Sequence, residues 1–451
     1  MNKRFGLHSK RVLIDDQLVE ATVVVEGGKI SRIDMGTIDS TDFSIQDLGN
    51  SVLMPGLIDC HVHINEPGRS EWEGFDTATK AAAAGGITTL IEMPLNADPV
   101  TTTQEAFEKK LAATEGKLHV NCGFWGGIVP DNIGDLDDLI ESGVFGIKAF
   151  LTHSGIDEFP NVSEEDLRNG LPILKKHNVP LLVHAELDTP HDDQRLLDEN
   201  PRSYQAYLKS RPKSWEDEAI QLMINLCEEF ETPIHIVHLS SSNSIQPLIK
   251  AKKSGLPIST ETCPHYFFFN AEEIADGQTQ YKCAPPIRER ANNDQLWQAA
   301  KDGLFSFIVS DHSPALPEIK ELKSGNLKKA WGGIAGLQFN LPVFWTKAKD
   351  RGLSIADTAR LMSSNVAAFL KMENKMGKIA KGHNADLMVW DPEDSFEVTK
   401  EIINFRHKIT PYLGHQLSGV VRRTYVAGNL IYNDGAFNAL GKGRVLTRNE
   451  Q

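Results

Sequence analysis

Gly56-Leu57-Ile58-Asp59-Cys60-His61-Val62-His63-Ile64 is the stretch on which the reading of this chain turns. Two histidines sit two residues apart at the end of an apolar run. Side chains alternate faces along a β-strand with period two. Leu57, Asp59, His61 and His63 therefore face one way, and Ile58, Cys60, Val62 and Ile64 face the other. Both imidazoles project from one face, about one metal ion's width apart. A bare His-x-His pair on a half-exposed strand is common, so the metal reading depends on what the rest of the chain places beside it.

Downstream of Pro55, apolar strand-like runs alternate with longer helical stretches. The runs are 57–64, 87–93, 118–123, 144–150, 180–185, 234–239, 258–262 and 305–310. Between them lie helix-period segments at 76–84, 103–113, 164–177, 216–230 and 244–254. Gly85-Gly86 and Gly255 stand where helices should stop. Eight β-α alternations predict a parallel (β/α)8 TIM barrel, filled by side chains and bearing its chemistry at the C-terminal ends of its strands.

Both ends of the chain read differently. Arg11–Ile14, Ala21–Val25 and Lys29–Ile33 are short strands separated by Asp15-Asp16 and Gly27-Gly28, which is turn chemistry. They are too few to close a core of their own. Strands return beyond residue 384, at Ala385–Trp390, Gly419–Ala427 and Asn429–Asn433, with hairpin signals at Ala427-Gly428-Asn429 and Asn433-Asp434-Gly435. The expected organisation is an α/β chain in which 54–384 form the catalytic barrel. Segments 1–53 and 385–451 then combine into one composite β-sandwich lobe. There is no solenoid repeat, low-complexity tract or charge block.

Composition bounds the function. The 451 residues have 40% hydrophobic and 24% charged content, ordinary for a globular protein. A net charge of -14 disfavours nucleic acid and anionic membrane as partners and leaves a small substrate open. Cys60, Cys122, Cys227, Cys263 and Cys283 are scattered, odd in number and free of CxxC pairs, which suits reduced thiols. Met1-Asn2-Lys3-Arg4 is basic with no long apolar run behind it, so the expectation is a cytoplasmic protein with no signal peptide and no membrane span.

The other candidate ligands fall on the same barrel ends. Lys148 lies near the end of the fourth run, His184 and His238 in the ends of the fifth and sixth, and Asp311 directly after the eighth. Singly, each has an ordinary explanation: a snorkelling lysine, a strand-end histidine, a turn aspartate. Together with His61 and His63 they make chance a poor one. Four histidines and an aspartate suit two borderline divalent ions. An ammonium would repel them. A desolvated lysine, however, loses its proton more easily, and its neutral amine can take up carbon dioxide. The resulting carbamate has two oxygens and can bridge two metals.

This set, with a split flanking β lobe, resembles the binuclear cyclic amidohydrolases of the amidohydrolase superfamily, among them dihydroorotase, dihydropyrimidinase (hydantoinase) and allantoinase. The resemblance runs over nearly the whole chain. It implies that His61 and His63 hold one metal with Asp311, that carbamylated Lys148 bridges, and that His184 and His238 hold the second. Within the family, Glu66–Phe75, Ile91–Asn96, Cys263–Phe267 and Lys329–Gln338 are similar to the bacterial allantoinase branch. Dihydroorotases of this layout usually carry Arg two residues after the second histidine. Here that position is Asn65, which disfavours an anionic substrate.

The resemblance implies ring opening of allantoin to allantoate. A metal-bridging hydroxide attacks the ring carbonyl, with Asp311 as base and then acid. Asn65, Asn96, Cys283, Ala284 and Gly333 are expected substrate contacts, and 152–157 a lid. His265, His312 and Lys282 are near the site without an assigned catalytic role. Zinc is the first metal expected, with manganese, cobalt, nickel and iron as alternatives. The partner is a small neutral cyclic amide or ureide, and relatives suggest a homotetramer. The alternatives are another cyclic amidase (hydantoinase-like or dihydroorotase-like) and a non-catalytic dihydropyrimidinase-like scaffold.

Overall fold

Four two-residue turns shape the β lobe. Asp15-Asp16, Gly27-Gly28, Ala427-Gly428 and Asp434-Gly435 each have both central residues at positive φ, as type I′ hairpin turns require. They link Arg4–Ile14, Gln17–Glu26 and Lys29–Met35 at one end of the chain, and Gln416–Val426, Asn429–Asn433 and Ala436–Phe437 at the other. The two groups join where Val52–Pro55 pairs antiparallel with Leu387–Trp390. One nine-stranded sheet results. The structure, a computed structural model, describes residues 4–437 and 442–451; Met1-Asn2-Lys3 and 438–441 lie outside the described residues.

Period-two alternation at this seam ties the lobe to the barrel. Leu53, Leu387 and Val389 enter a small cluster with Leu7, Val23, Val25 and Tyr425. That cluster draws on both halves of the sheet, which therefore folds over itself as a sandwich. Val52, Met54, Met388 and Trp390 point the other way, into the main core.

The eight barrel strands are Leu57–Val62, Ile87–Glu92, Asn121–Phe124, Ile147–Phe150, Leu181–His184, Ile234–Ile236, Ile258–Thr262 and Phe307–Ile308. Those paired in register run parallel. The third run continues past Trp125 as Gly126-Gly127, which pairs with Ile147-Lys148. The Trp125 backbone N–H donates to Glu92 O at 2.9 Å and its indole N–H to Cys60 O at 2.7 Å, so the break leaves neither donor of that residue unpaired. The ring closes where Val62 bridges His312 and the His63 N–H donates to His312 O at 2.8 Å.

The helices that cover the barrel start where their caps permit. Glu164–His177 begins at Ser163, which forms a reciprocal capping box with Asp166, and ends at Asn178 in the left-handed region. Lys213–Phe230 begins three residues before the expected start. Arg290–Lys301 and Asn340–Ala348 form further helices that the alternation pattern had not marked. All five cysteines are free and buried. Among the described residues, no helix is long and apolar enough to cross a membrane.

Candidate metal centre and its cavity

The barrel mouth gathers the six residues singled out above. His61 is the penultimate residue of the first strand, and His63 lies just beyond its end. Asp311 follows the eighth strand with φ 45, and His238 follows the sixth with φ 38. Both occupy the left-handed region that non-glycine residues seldom adopt. Asp311 Oδ1 lies 3.2 Å from His61 Nε2 and 3.6 Å from His63 Nε2. The His238 ring centre is 5.4 Å from that of His61 and 4.7 Å from that of His184. Ligand atoms of His61, His238 and Asp311 lie within 4.8 Å of one another, so the three converge on a space the size of one ion. Lys148 is fully buried, its Nζ has no hydrogen-bond partner, and it stands 4.9 Å from the Phe150 ring centre. Phe150 in turn stacks on His184 at 4.6 Å.

Partners behind these rings fix which nitrogen faces forward. His63 Nδ1 donates to Leu95 O at 2.8 Å. A carbonyl only accepts, so Nδ1 carries the proton and in the neutral ring Nε2 keeps its lone pair. His61 Nδ1 bonds Glu261 Oε1, whose other oxygen lies 3.1 Å from His235 Nε2; His235 Nδ1 is 2.7 Å from Ser259 Oγ. His184 Nε2 meets Glu186 Oε2 at 2.7 Å, and Arg211 grips Glu186 from behind. That leaves His184 Nδ1 for a metal. Asp59, buried beneath, accepts from the Ser310 N–H at 3.0 Å and from Asn340 Nδ2 at 3.1 Å. It thereby ties the first strand to the chain that presents Asp311.

The protonation states match this geometry. Burial would raise the Glu261 and Glu186 carboxyls. The neighbouring charges and hydrogen bonds of His61 and His235, and of Arg211 and His184, hold both down at about 2. Burial also opposes ionisation of Asp311, yet His61 and His63 keep its carboxyl well below the usual range. Burial pulls Lys148 down to about 7 against the attraction of Glu261 and Asp311. Burial, with His184 and Lys148 nearby, pushes His238 well below an ordinary imidazole; burial lowers His184 too. At neutral pH the site therefore offers ionised carboxylates, neutral His184 and His238, and an amine able to shed its proton. The unpartnered Lys148 Nζ and His238 Nδ1, in a ring of nitrogen and oxygen donors, fit divalent metal ions.

The cavity above has an empty volume of about 500 Å³ out to its open mouth. All six residues line it, as do Asn96, Ala284 and Gly333. Gly333 has both backbone groups engaged: its N–H donates to Lys282 O at 2.8 Å and its C=O accepts from Lys320 Nζ at 2.5 Å. A Cβ there would stand 2.5 Å from Ser313 Oγ, so only glycine fits. Two expected contacts are corrected. Asn65 is fully buried behind the wall, with φ 66. The chain has left the strand by then, so Asn65 no longer shares the face of His63. It accepts from Asn96 Nδ2 at 3.2 Å and donates to Pro314 O. Cys283 is also behind the wall, with its carbonyl taken by the Tyr207 hydroxyl at 2.6 Å.

Other near-site residues find distinct places. His312 receives the Gly336 N–H at Nδ1 and faces Glu73 at 3.5 Å, so it braces loops. His265 is buried beside Tyr266 with neither ring nitrogen partnered, and burial lowers it to about 4. In the 152–157 loop, Ser154 lines the cavity and Gly155 packs on Trp331. Sequence reasoning missed Glu261, His235, Glu186 and Ser313. A glutamate inside the apolar strand Ile258–Thr262 was the available signal for the first.

Comparison with known proteins agrees with this architecture. The model of the amidohydrolase family matches residues 52–431. The chain is 43% identical to an allantoinase of Arabidopsis thaliana over 98% of this chain and 91% of that protein. It is also 43% identical to an allantoinase of Streptomyces avermitilis, over 98% of each. Among solved structures it is similar to an L-hydantoinase (dihydropyrimidinase) from Arthrobacter aurescens, with TM-score 0.92 and 28% identity over 99% of this chain and 100% of that one. Barrel and lobe together are thus shared with a solved structure over nearly the whole length of both chains, and the chain belongs to the amidohydrolase family.

Proposed function

We propose that this chain opens the ring of allantoin hydrolytically to allantoate, at a pair of divalent metal ions. The observation that supports the chemistry is the convergence of Asp311 with His61 and His63 across the mouth from the unpartnered Lys148. What supports the substrate is near-full-length identity of 36–44% to allantoinases of plants and bacteria. Hydantoinases share the fold at lower identity, 28% for the Arthrobacter aurescens protein.

In this reading His61, His63 and Asp311 would hold one ion and His184 and His238 the other, with Lys148, once carbamylated by carbon dioxide, supplying an anionic ligand to the pair. Zinc is the first choice for these ligands. When bound, the ions supply charge that acidifies a water and polarises a carbonyl. Asp311 accepts the proton of the attacking water and passes it to the leaving ring nitrogen. Its depressed pKa keeps it ionised before attack and makes it a strong acid afterwards. Asn96 and Ser313 orient the ring's amide groups, and Phe150 and Trp331 exclude bulk water. Segment 54–384 does this work, and the lobe of 1–53 and 385–451 supports it. We place the enzyme in the cytoplasm as a homotetramer.

The test is allantoin turnover by metal-loaded protein. Activity should vanish on chelation and return with added metal. Turnover unaffected by exhaustive chelation would sink this reading.

A further inference from the structure

A second chamber opens beside the metal-facing cavity. It has an empty volume of about 540 Å³ out to its mouth, and it shares Phe150, Ser154, His184, Ala284, Trp331 and Gly332 with that cavity. Its own walls include Tyr207, Arg211 and Lys282. The chamber is therefore contiguous in its lining with the reacting centre, through His184 above all.

Its chemistry is cationic and donor-rich. Arg211 spends Nε and Nη2 on Glu186, at 3.2 and 2.5 Å, and Nη1 makes no hydrogen bond among the described residues. Lys282 Nζ lies 5.5 Å from the Tyr207 ring centre and donates to Ala330 O at 2.5 Å and, more weakly, to Lys328 O at 3.5 Å. An ammonium has three donors, so at least one remains. Glu186 is fully buried with both oxygens engaged and cannot neutralise Lys282 as well. Asp157, paired with the lining His153, and Asp188, near Arg211, are both exposed. The Tyr207 hydroxyl is committed to Cys283 O.

We propose that this chamber receives the substituent on the ring carbon of the substrate, and that Lys282 with Arg211 selects substituents ending in a hydrogen-bond acceptor. A ureido carbonyl or a carboxylate satisfies the uncommitted donors. An alkyl arm of the same size would strip them of water and leave them unpaired. The proposal rests on the reading that the ring itself sits over the metal ligands.

The experiment compares three ring compounds on the metal-loaded full chain: hydantoin, 5-isobutylhydantoin and hydantoin-5-acetate. KM or Ki is measured for wild type, Lys282→Met and Lys282→Gln. Wild type should favour the acetate arm over the isobutyl arm by about 10- to 100-fold, the size of one charge-assisted hydrogen bond. Lys282→Met should cut that ratio at least tenfold, and Lys282→Gln, which keeps a donor, should retain part of it. A wild-type ratio near one would overturn the proposal. So would a Lys282→Met loss that falls equally on all three rings, because the lysine would then act only through the Ala330 loop. Should no ring be turned over, calorimetry with the same compounds still reads the ratio, which separates failure of this subsite from failure of the allantoin reading.

Discussion

Glu261→Gln tests whether the residues behind the ligands set metal affinity. Glu261 is fully buried between His61 and His235, and their charge and hydrogen bonds hold its carboxyl at about 2 against an ordinary 4.5. That depression corresponds to about 3 kcal/mol of preference for the ionised form. It is shared between two imidazoles, so roughly half should be felt at His61. Gln is nearly isosteric, and its carbonyl can still accept from His61 Nδ1–H. What disappears is the negative charge that fixes the tautomer and makes Nε2 more basic. Affinity for the ion on His61 should fall about 10- to 30-fold. Competition against a fluorescent chelator measures this, with thermal melting of the metal-free protein as the check on folding. A variant that folds and binds metal within twofold of wild type would refute the reasoning.

Other perturbations act on the same network of buried charges. Asp311→Asn should lower turnover by about 10²–10⁴, as loss of a proton-transfer group does; initial rates on metal-loaded protein check it. Glu186 and Glu261 are both held near 2, below their unfolded value. Their contribution is therefore present above pH 4.5 and lost as pH falls towards 2, on the order of 3 kcal/mol each; urea unfolding of metal-free protein across that range should show it. Lys110 and Glu92 form a fully buried pair at 2.5 Å, so Lys110→Met should cost about 3–5 kcal/mol by stranding a carboxylate; a change in unfolding free energy under 1 kcal/mol would contradict this. Protein given ¹³C-bicarbonate should show a carbamate carbon signal that Lys148→Ala lacks.

The barrel was legible because each strand is a short apolar run bounded by polar helices and glycines. The lobe was legible because Gly27-Gly28 and Ala427-Gly428 are hairpin turns. The six cavity residues were visible because strand ends are countable. What lies behind them was less visible. His235 and Glu261 sit inside runs that read as plain strand, and only the closed barrel brings Glu261 to His61, 200 residues away in sequence. Asn65 and Cys283 show the opposite failure. Strand alternation ends at His63, and a backbone at φ 66 places Asn65 behind the wall. Trp331 reaches the cavity at the end of a long loop whose path depends on buried Lys320, which donates to Trp331 O at 3.1 Å and to Gly333 O. No periodicity encodes such a path.

The most direct test is ring opening by the metal-loaded protein with allantoin, hydantoin, dihydrouracil and dihydroorotate side by side. Allantoin turnover far above the other three is the predicted result. Preference for hydantoin or dihydrouracil would contradict the proposed function while leaving fold and metal centre intact.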